Sequence, residues 1–186
     1  MEKSISVTKL NAAKRQLETA IRLYFHDEDP VSIHTLVSAA YNIVRDVNRK
    51  RGGPPMLIKD DLIELYVKTE YQQAMRKKLN EPENFFKHAD RDHAETIEFN
   101  PDTSEFMILD AVRGYSGITG ESAPLFRVLY WWVIAANESI IKAEFKEKLA
   151  APARAARSIG RRKFFEVMLP AAMRTGGRSS VGKPSE

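Results

Sequence analysis

Among the 186 residues of this chain there is no cysteine. Disulfides and thiolate-held metals are thereby excluded, and a reducing compartment fits. Long hydrophobic runs are also missing. The longest, VLYWWVIAA over 128–136, falls well short of the roughly 20 apolar residues that a membrane-crossing helix needs. The opening segment, MEKSISVTKLNAAK, lacks the apolar centre of a secretory signal. Together these absences predict a cytoplasmic protein with no transmembrane segment.

Strand signals are nearly absent. TIEFNPD (96–102) alternates briefly, but a lone strand cannot stand by itself, so it reads as extended loop. Gly114, Gly117 and Gly120 recur at steps of three. They follow a helix and lack the lysine and hydroxyl of a phosphate-cradling loop, so they read as helix termination. No G-x-S-x-G nucleophile turn occurs. A calcium loop started at Asp90 and Asp92 fails, because Glu95 stands where glycine is required and Pro101 where a bidentate glutamate belongs. Nothing in the chain demands a cofactor.

What is present is helix. The hydrophobic share of 43% is close to the globular norm, enough to form a core. Leu10, Ala13, Leu17, Ala20, Ile21 and Tyr24 recur at steps of three and four, giving a first helix over about 8–26. HDEDPVS stops it and starts the next, with Asp29 as N-cap and Pro30 at the first helical position. The second helix turns Ile33, Leu36, Val37, Ala40, Val44 and Val47 inward and breaks at GGPP, which makes a helical hairpin. His34 lies on the flank of that stripe and reads either as a satisfied border residue or as a partner to His26 across the hairpin. A third helix is expected over 60–79, with Glu70 on its apolar face as a candidate buried carboxylate. NEPENFFKHA reads as a short helical turn. A further helix begins near DTSEF and carries Phe106, Leu109 and Val112 inward. Pro124 opens LFRVLYWWVIAAN, apolar almost all round and therefore buried. The fold class that follows is all-α: a single bundle of five to seven helices around a buried central helix at about 124–137. The bundle domain is expected over 1–150, followed over 151–186 by a basic C-terminal helix and a disordered tail.

Charge divides the same way. From residue 151 onward eight basic residues face two acidic ones, a net +6 that leaves residues 1–150 at −2 within the chain's +4. Arg157, Arg161, Arg162 and Lys163, interleaved with Ile159, Phe164 and Phe165, form a cationic and apolar segment that suits phosphate backbones, anionic membrane surfaces or an acidic partner; equally, it reads as a terminal helix docked by its aromatics while the arginines keep it soluble.

The densest polar stretch is NFFKHADRD (84–92). On a helix, Asn84 and His88 lie one turn apart, about 5–6 Å between Cβ atoms, with Lys87 and Arg91 on the adjacent line. An imidazole beside an amide and charges of both signs is a candidate general acid or base; it is equally a neutral histidine holding a loop. His88, Asp92 and His93 also offer ligands for a transition metal, but Lys87 and Arg91 repel a dication, so no metal site is assigned.

KLNAAKRQLETAIRLYFHDEDPVSIHTLVSAAYNIVRD, NFFKHADRD and YSGITGESAPLFRVLYWW together resemble a group of small bacterial all-helical proteins. The resemblance spans most of residues 8–135 and implies a helical fold in a bacterial cytosol, with no activity attached. More remotely, the chain is similar to HEPN (higher eukaryotes and prokaryotes nucleotide-binding) domains, helical bundles that are often ribonucleases of toxin–antitoxin or defence systems. Their signature pairs an arginine with a histidine further along one late helix. Here NFFKH offers Asn84 and His88, and RLYFH offers Arg22 and His26, each with a gap of three residues, shorter than that signature.

Three functions follow as expectations. The first is a non-catalytic helical binding module that contacts a protein or nucleic acid through 84–92 and the basic segment. The second is a HEPN-like, metal-independent ribonuclease with His88 as acid or base, Lys87 or Arg91 stabilising charge and Asn84 orienting. The third is a metal-dependent helical enzyme built on His88, Asp92 and His93.

Overall fold

In a computed structural model, residues 4–90, 94–136 and 157–175 are described. Among them the chain forms seven α-helices and no strand. The chain divides into two compact units, Met1–Glu121 and Ser122–Glu186. The boundary expected at residue 150 lies outside the described residues, as does the tail after residue 175.

The first unit starts with α1 (Lys9–Phe25), capped by Thr8, whose side chain accepts the Asn11 N–H at 3.2 Å. Ala13, Leu17, Ala20 and Ile21 are fully buried on one face. After α1 the chain reverses through Asp27, the one non-glycine with positive φ (56°) among the described residues. Asp29 then caps α2 (Pro30–Lys50) by accepting the Ser32 N–H at 2.7 Å, and the Ser32 side chain together with that N–H holds its carboxyl below the ordinary range. α1 and α2 pack as the expected hairpin.

The predicted third helix is not continuous. Leu57–Asp61 forms a π-helical turn, α3 covers only Leu62–Tyr66, and Val67 is extended before α4 (Thr69–Lys87). Helical periodicity alone does not register a π turn, because it displaces the face by one residue. α4 also absorbs, as far as Lys87, the short helical turn expected at 80–89, with Pro82 inside it. Glu70 is exposed, and the buried carboxylate of α4 is Glu83.

α5 (Thr103–Thr119) packs against α1 and α2. It runs through Gly114 and Gly117 and ends only at Gly120, left-handed at φ 70°. Of the three glycines read as termination, one terminates. Gly114 has a different use: a Cβ there would lie 2.7 Å from Met56 Sδ and 2.8 Å from Val44 Cγ1, so its bareness lets α5 approach α2. α5 buries Met107, Ile108, Ala111, Val112 and Tyr115, while Phe106, expected inside, is 53% exposed.

The second unit holds α6 (Pro124–Ala136), a 3₁₀ turn (Arg157–Ile159) and α7 (Arg161–Arg174). α6 buries Leu125, Phe126, Val128, Leu129, Val133 and Ala135. It packs on α7, where Trp132 meets the edge of Phe164 at 5.3 Å between ring centroids. Arg127 donates to the carbonyls of Ser122 and Ala172, tying the start of α6 to the end of α7.

Candidate functional site

The best-developed polar assembly lies inside the first unit, where α2, the π turn, α4 and α5 meet. Its centre is Tyr41 of α2, fully buried. The Tyr41 hydroxyl donates to Asp110 Oδ2 at 2.7 Å and accepts the Lys59 N–H at 3.2 Å. Burial, the Asp110 hydrogen bond and its charge push the phenol far above its usual range. Asp110 is 3% exposed and also accepts the Ile58 N–H at 3.0 Å and two Arg113 N–H bonds at 3.1 and 3.0 Å. The first N–H groups of any helical turn lack intrahelical partners. Here Asp110 and Tyr41 supply them, which explains why the π turn docks where it does.

That docking sends the Lys59 side chain inward, leaving it 3% exposed. Its Nζ donates to Glu83 Oε2 at 3.0 Å and to Asn42 Oδ1 at 3.3 Å. Glu83, 6% exposed, also receives Lys87 Nζ at 2.7 Å on Oε1. The two partners respond to burial differently. Burial pulls the Lys59 ammonium below its ordinary range, and Glu83 only partly offsets this. Burial acts to raise Glu83, but hydrogen bonds and charge from Lys87 and Lys59 outweigh it and the carboxyl ends low. Glu83 has two cations and Lys59 one anion, so the pair is ionic and held chiefly by the glutamate's surplus of partners.

His34, 1% exposed, stands beside this pair. Its Nδ1 is 3.0 Å from Ser104 Oγ, and its ring meets the edges of Phe99 and Phe86 at centroid distances of 4.9 and 5.9 Å. Burial, with the Lys59 charge adding, lowers it to about 4, so the imidazole is neutral at pH 7. Its Nε2 is buried and has no hydrogen-bond partner. His34 therefore faces Ser104 of α5, not His26, whose Nδ1 lies 2.7 Å from the Arg22 carbonyl oxygen.

Of the polar residues singled out in NFFKHADRD, Asn84, Lys87, His88 and Asp90 are among those described. Asn84, Lys87 and His88 sit on the last turn and cap of α4, and Asn84 and His88 are exposed. The His88 N–H donates to the Asn84 carbonyl at 3.0 Å, an ordinary helix-end bond. Lys87 is turned to Glu83, away from His88. Asn84 does line an open polar cleft of 330 Å³ with Asn42, Arg45, Asp46, Asn80 and Glu83. In that cleft Arg45 is joined to Asp60 and Glu83 to Lys59, so its charges are already matched. Arg91, Asp92 and His93 lie outside the described residues. Among the described residues no three His, Asp or Glu side chains group as metal ligands.

Of the basic segment, Arg161, Arg162 and Lys163 form the first turn of α7; the side chain of Arg157 lies outside what is described. Arg162 and Lys163 are exposed, while Phe164, Phe165 and Met168 are buried beneath them. No helix of the described residues is long and apolar enough to cross a membrane. No protein-family model, curated protein or solved structure matches the chain.

Proposed function

We propose that this chain is a non-catalytic helical binding module that takes a polyanionic partner, nucleic-acid phosphate in the first instance, on the start of α7. The observation that carries the reading is the charge at that helix end. Three cations occupy the first turn of α7, and Gly160 ahead of them provides no capping side chain. The positive end of a helix dipole disfavours cations by about 0.3–1 kcal/mol each. A sequence optimised for stability alone would place acids there, as Asp29 does for α2. Guanidinium groups at a helix N-terminus suit phosphate oxygens. The buried Phe164, Phe165 and Met168 hold that turn on a folded support. In the first unit the buried charges are matched by one another, which favours a structural role for them over acid–base chemistry. The bacterial setting rests on the sequence resemblance.

The test is fluorescence anisotropy of a labelled single-stranded oligonucleotide at rising salt. The expected result is tight binding at low salt, and Arg162→Ala with Lys163→Ala should flatten the log–log salt dependence by about one unit of slope for each phosphate no longer neutralised. Equal binding and an equal slope for the double variant would refute the reading.

A second reading, a protein contact, is favoured by one observation. Leu62, Leu65 and Tyr66 share a face of α3 and are 46, 73 and 79% exposed; Tyr71 and Met75 of α4 are 59 and 40% exposed. Clustered apolar exposure of this kind marks interaction surfaces. Sedimentation of the wild type and of Leu65→Glu/Tyr66→Glu at rising concentration tests self-association through that face. Two monomers of identical behaviour would remove it.

A further inference from the structure

The first unit contains a second cavity, of 230 Å³, between α2, the π turn, α4 and α5. It is independent of the anion site on α7, since every residue lining it precedes Glu121. Its floor is His34, the stem of Lys59 and Met107, all buried. Its mouth is marked by the lining residues that are exposed, Lys78, Thr103 and Phe106. The volume is about one and a half times the ~150 Å³ void known to hold a benzene ring, and a void walled by carbon stays dry. Interiors pack densely, so an open hole of this size beside the core leaves its lining short of neighbours that an apolar body would restore.

Four polar residues line the cavity and define what else the occupant carries. Lys59 is committed to Glu83 and Asn42, so it offers the cavity only its methylenes. Thr103 is committed as well, donating its hydroxyl to the Asn100 carbonyl at 2.8 Å. Lys78 is different: it is exposed at the rim, and no ion pair engages it among the described residues. His34 lines the wall with its ring, its Nε2 being buried from solvent, so the wall itself is apolar. A greasy slot with one unmatched cation at its lip is the complement of a small amphipathic anion.

We infer that this cavity binds a small monocarboxylate with a compact apolar body, the ring or short chain seated against His34 and Met107 and the carboxylate on Lys78 at the mouth. Ligand pockets of this design take their affinity from the apolar walls and their orientation from a few polar groups. The rim ion pair is solvated, so it contributes discrimination more than strength.

Phenylacetate and its neutral counterpart 2-phenylethanol serve as probes, titrated into the full isotope-labelled chain while methyl NMR signals of Ile58, Leu79 and Met107 are followed. The expected result is saturable shifts with a Kd on the order of 1 mM for phenylacetate. Lys78→Ala should weaken phenylacetate about two- to fivefold and leave 2-phenylethanol unchanged. Leu79→Trp fills the slot and should abolish both; if that variant does not fold, Ile58→Phe asks the same question. Absence of saturable shifts with either probe overturns the inference. So does alcohol binding as tight as the acid's, or indifference of phenylacetate to Lys78→Ala.

Discussion

Lowering the pH should destabilise the first unit through one residue, His34. The imidazole is held to about 4 in the fold, against 6.5 when unfolded. The folded chain therefore resists a proton that the unfolded chain accepts. Stability linked to this group is complete above the unfolded value of 6.5 and drains away as pH falls toward about 4. At roughly 1.4 kcal/mol per pH unit of displacement, the loss is about 2 kcal/mol by pH 5 and approaches ~3 kcal/mol near pH 4. His34 is almost wholly buried, so solvent screening takes little from that figure. The charged groups that act on it are Lys59 and Lys87, which oppose its protonation, and Glu83, which favours it. Glu83 and Asp60, both held below ordinary carboxyl values, lose their own contributions only as pH falls below the usual carboxyl range. The interval from about pH 6.5 to about pH 5 therefore belongs to His34. Urea unfolding followed by circular dichroism at about pH 7 and about pH 5 measures it, with His34→Leu as the reference chain. The wild type should lose about 2 kcal/mol relative to the variant over that step. Equal losses in both chains would refute the reasoning, because the histidine would then be titrating freely in the fold.

Two further outcomes follow from the same neighbourhood. Glu83→Ala strands the Lys59 ammonium with only Asn42, at a cost of about 3–5 kcal/mol, whereas Lys59→Met leaves Glu83 its bond to Lys87 and should cost clearly less; denaturant midpoints that rank the two in reverse order would contradict the asymmetry. Gly114→Ala gains about 1 kcal/mol of helix propensity but forces a methyl against Met56 and the stiff, buried Val44, so a net loss of about 1–2 kcal/mol and a lowered Tm are expected.

How much of this was legible in the sequence varies with the physics involved. The α1–α2 hairpin was fully readable, because a cap, a helix-starting proline and an unbroken apolar stripe all agree there. Glycine misled at 114 and 117: its low helix propensity suggests an end, but at 114 tertiary packing against Val44 and Met56 decides the matter. The histidine chosen for attention lies apart from the buried polar assembly. His88 stood out through its dense polar company, and such company is common at an exposed helix end. The groups that build the site left a fainter mark, in that each is a charged or polar residue embedded in apolar sequence: Lys59 in MLIKDDLI and Asp110 in MILDAVRGY. Their meaning depends on the π turn. No periodicity announces it, because it changes which residues share a face by a single position.

That π turn carries a consequence for insertions and deletions. Each residue of an α-helix advances the face by about 100°. Removing one residue between Met56 and Leu62 would let 57–66 wind as ordinary α-helix and rotate everything beyond it by that angle. Lys59 would swing away from Glu83, and Ile63, now 2% exposed, would leave the core. A spacer change that any loop would tolerate is therefore a change of inside for outside here, and natural variation in length should be confined to the connections at 51–55 and 95–102.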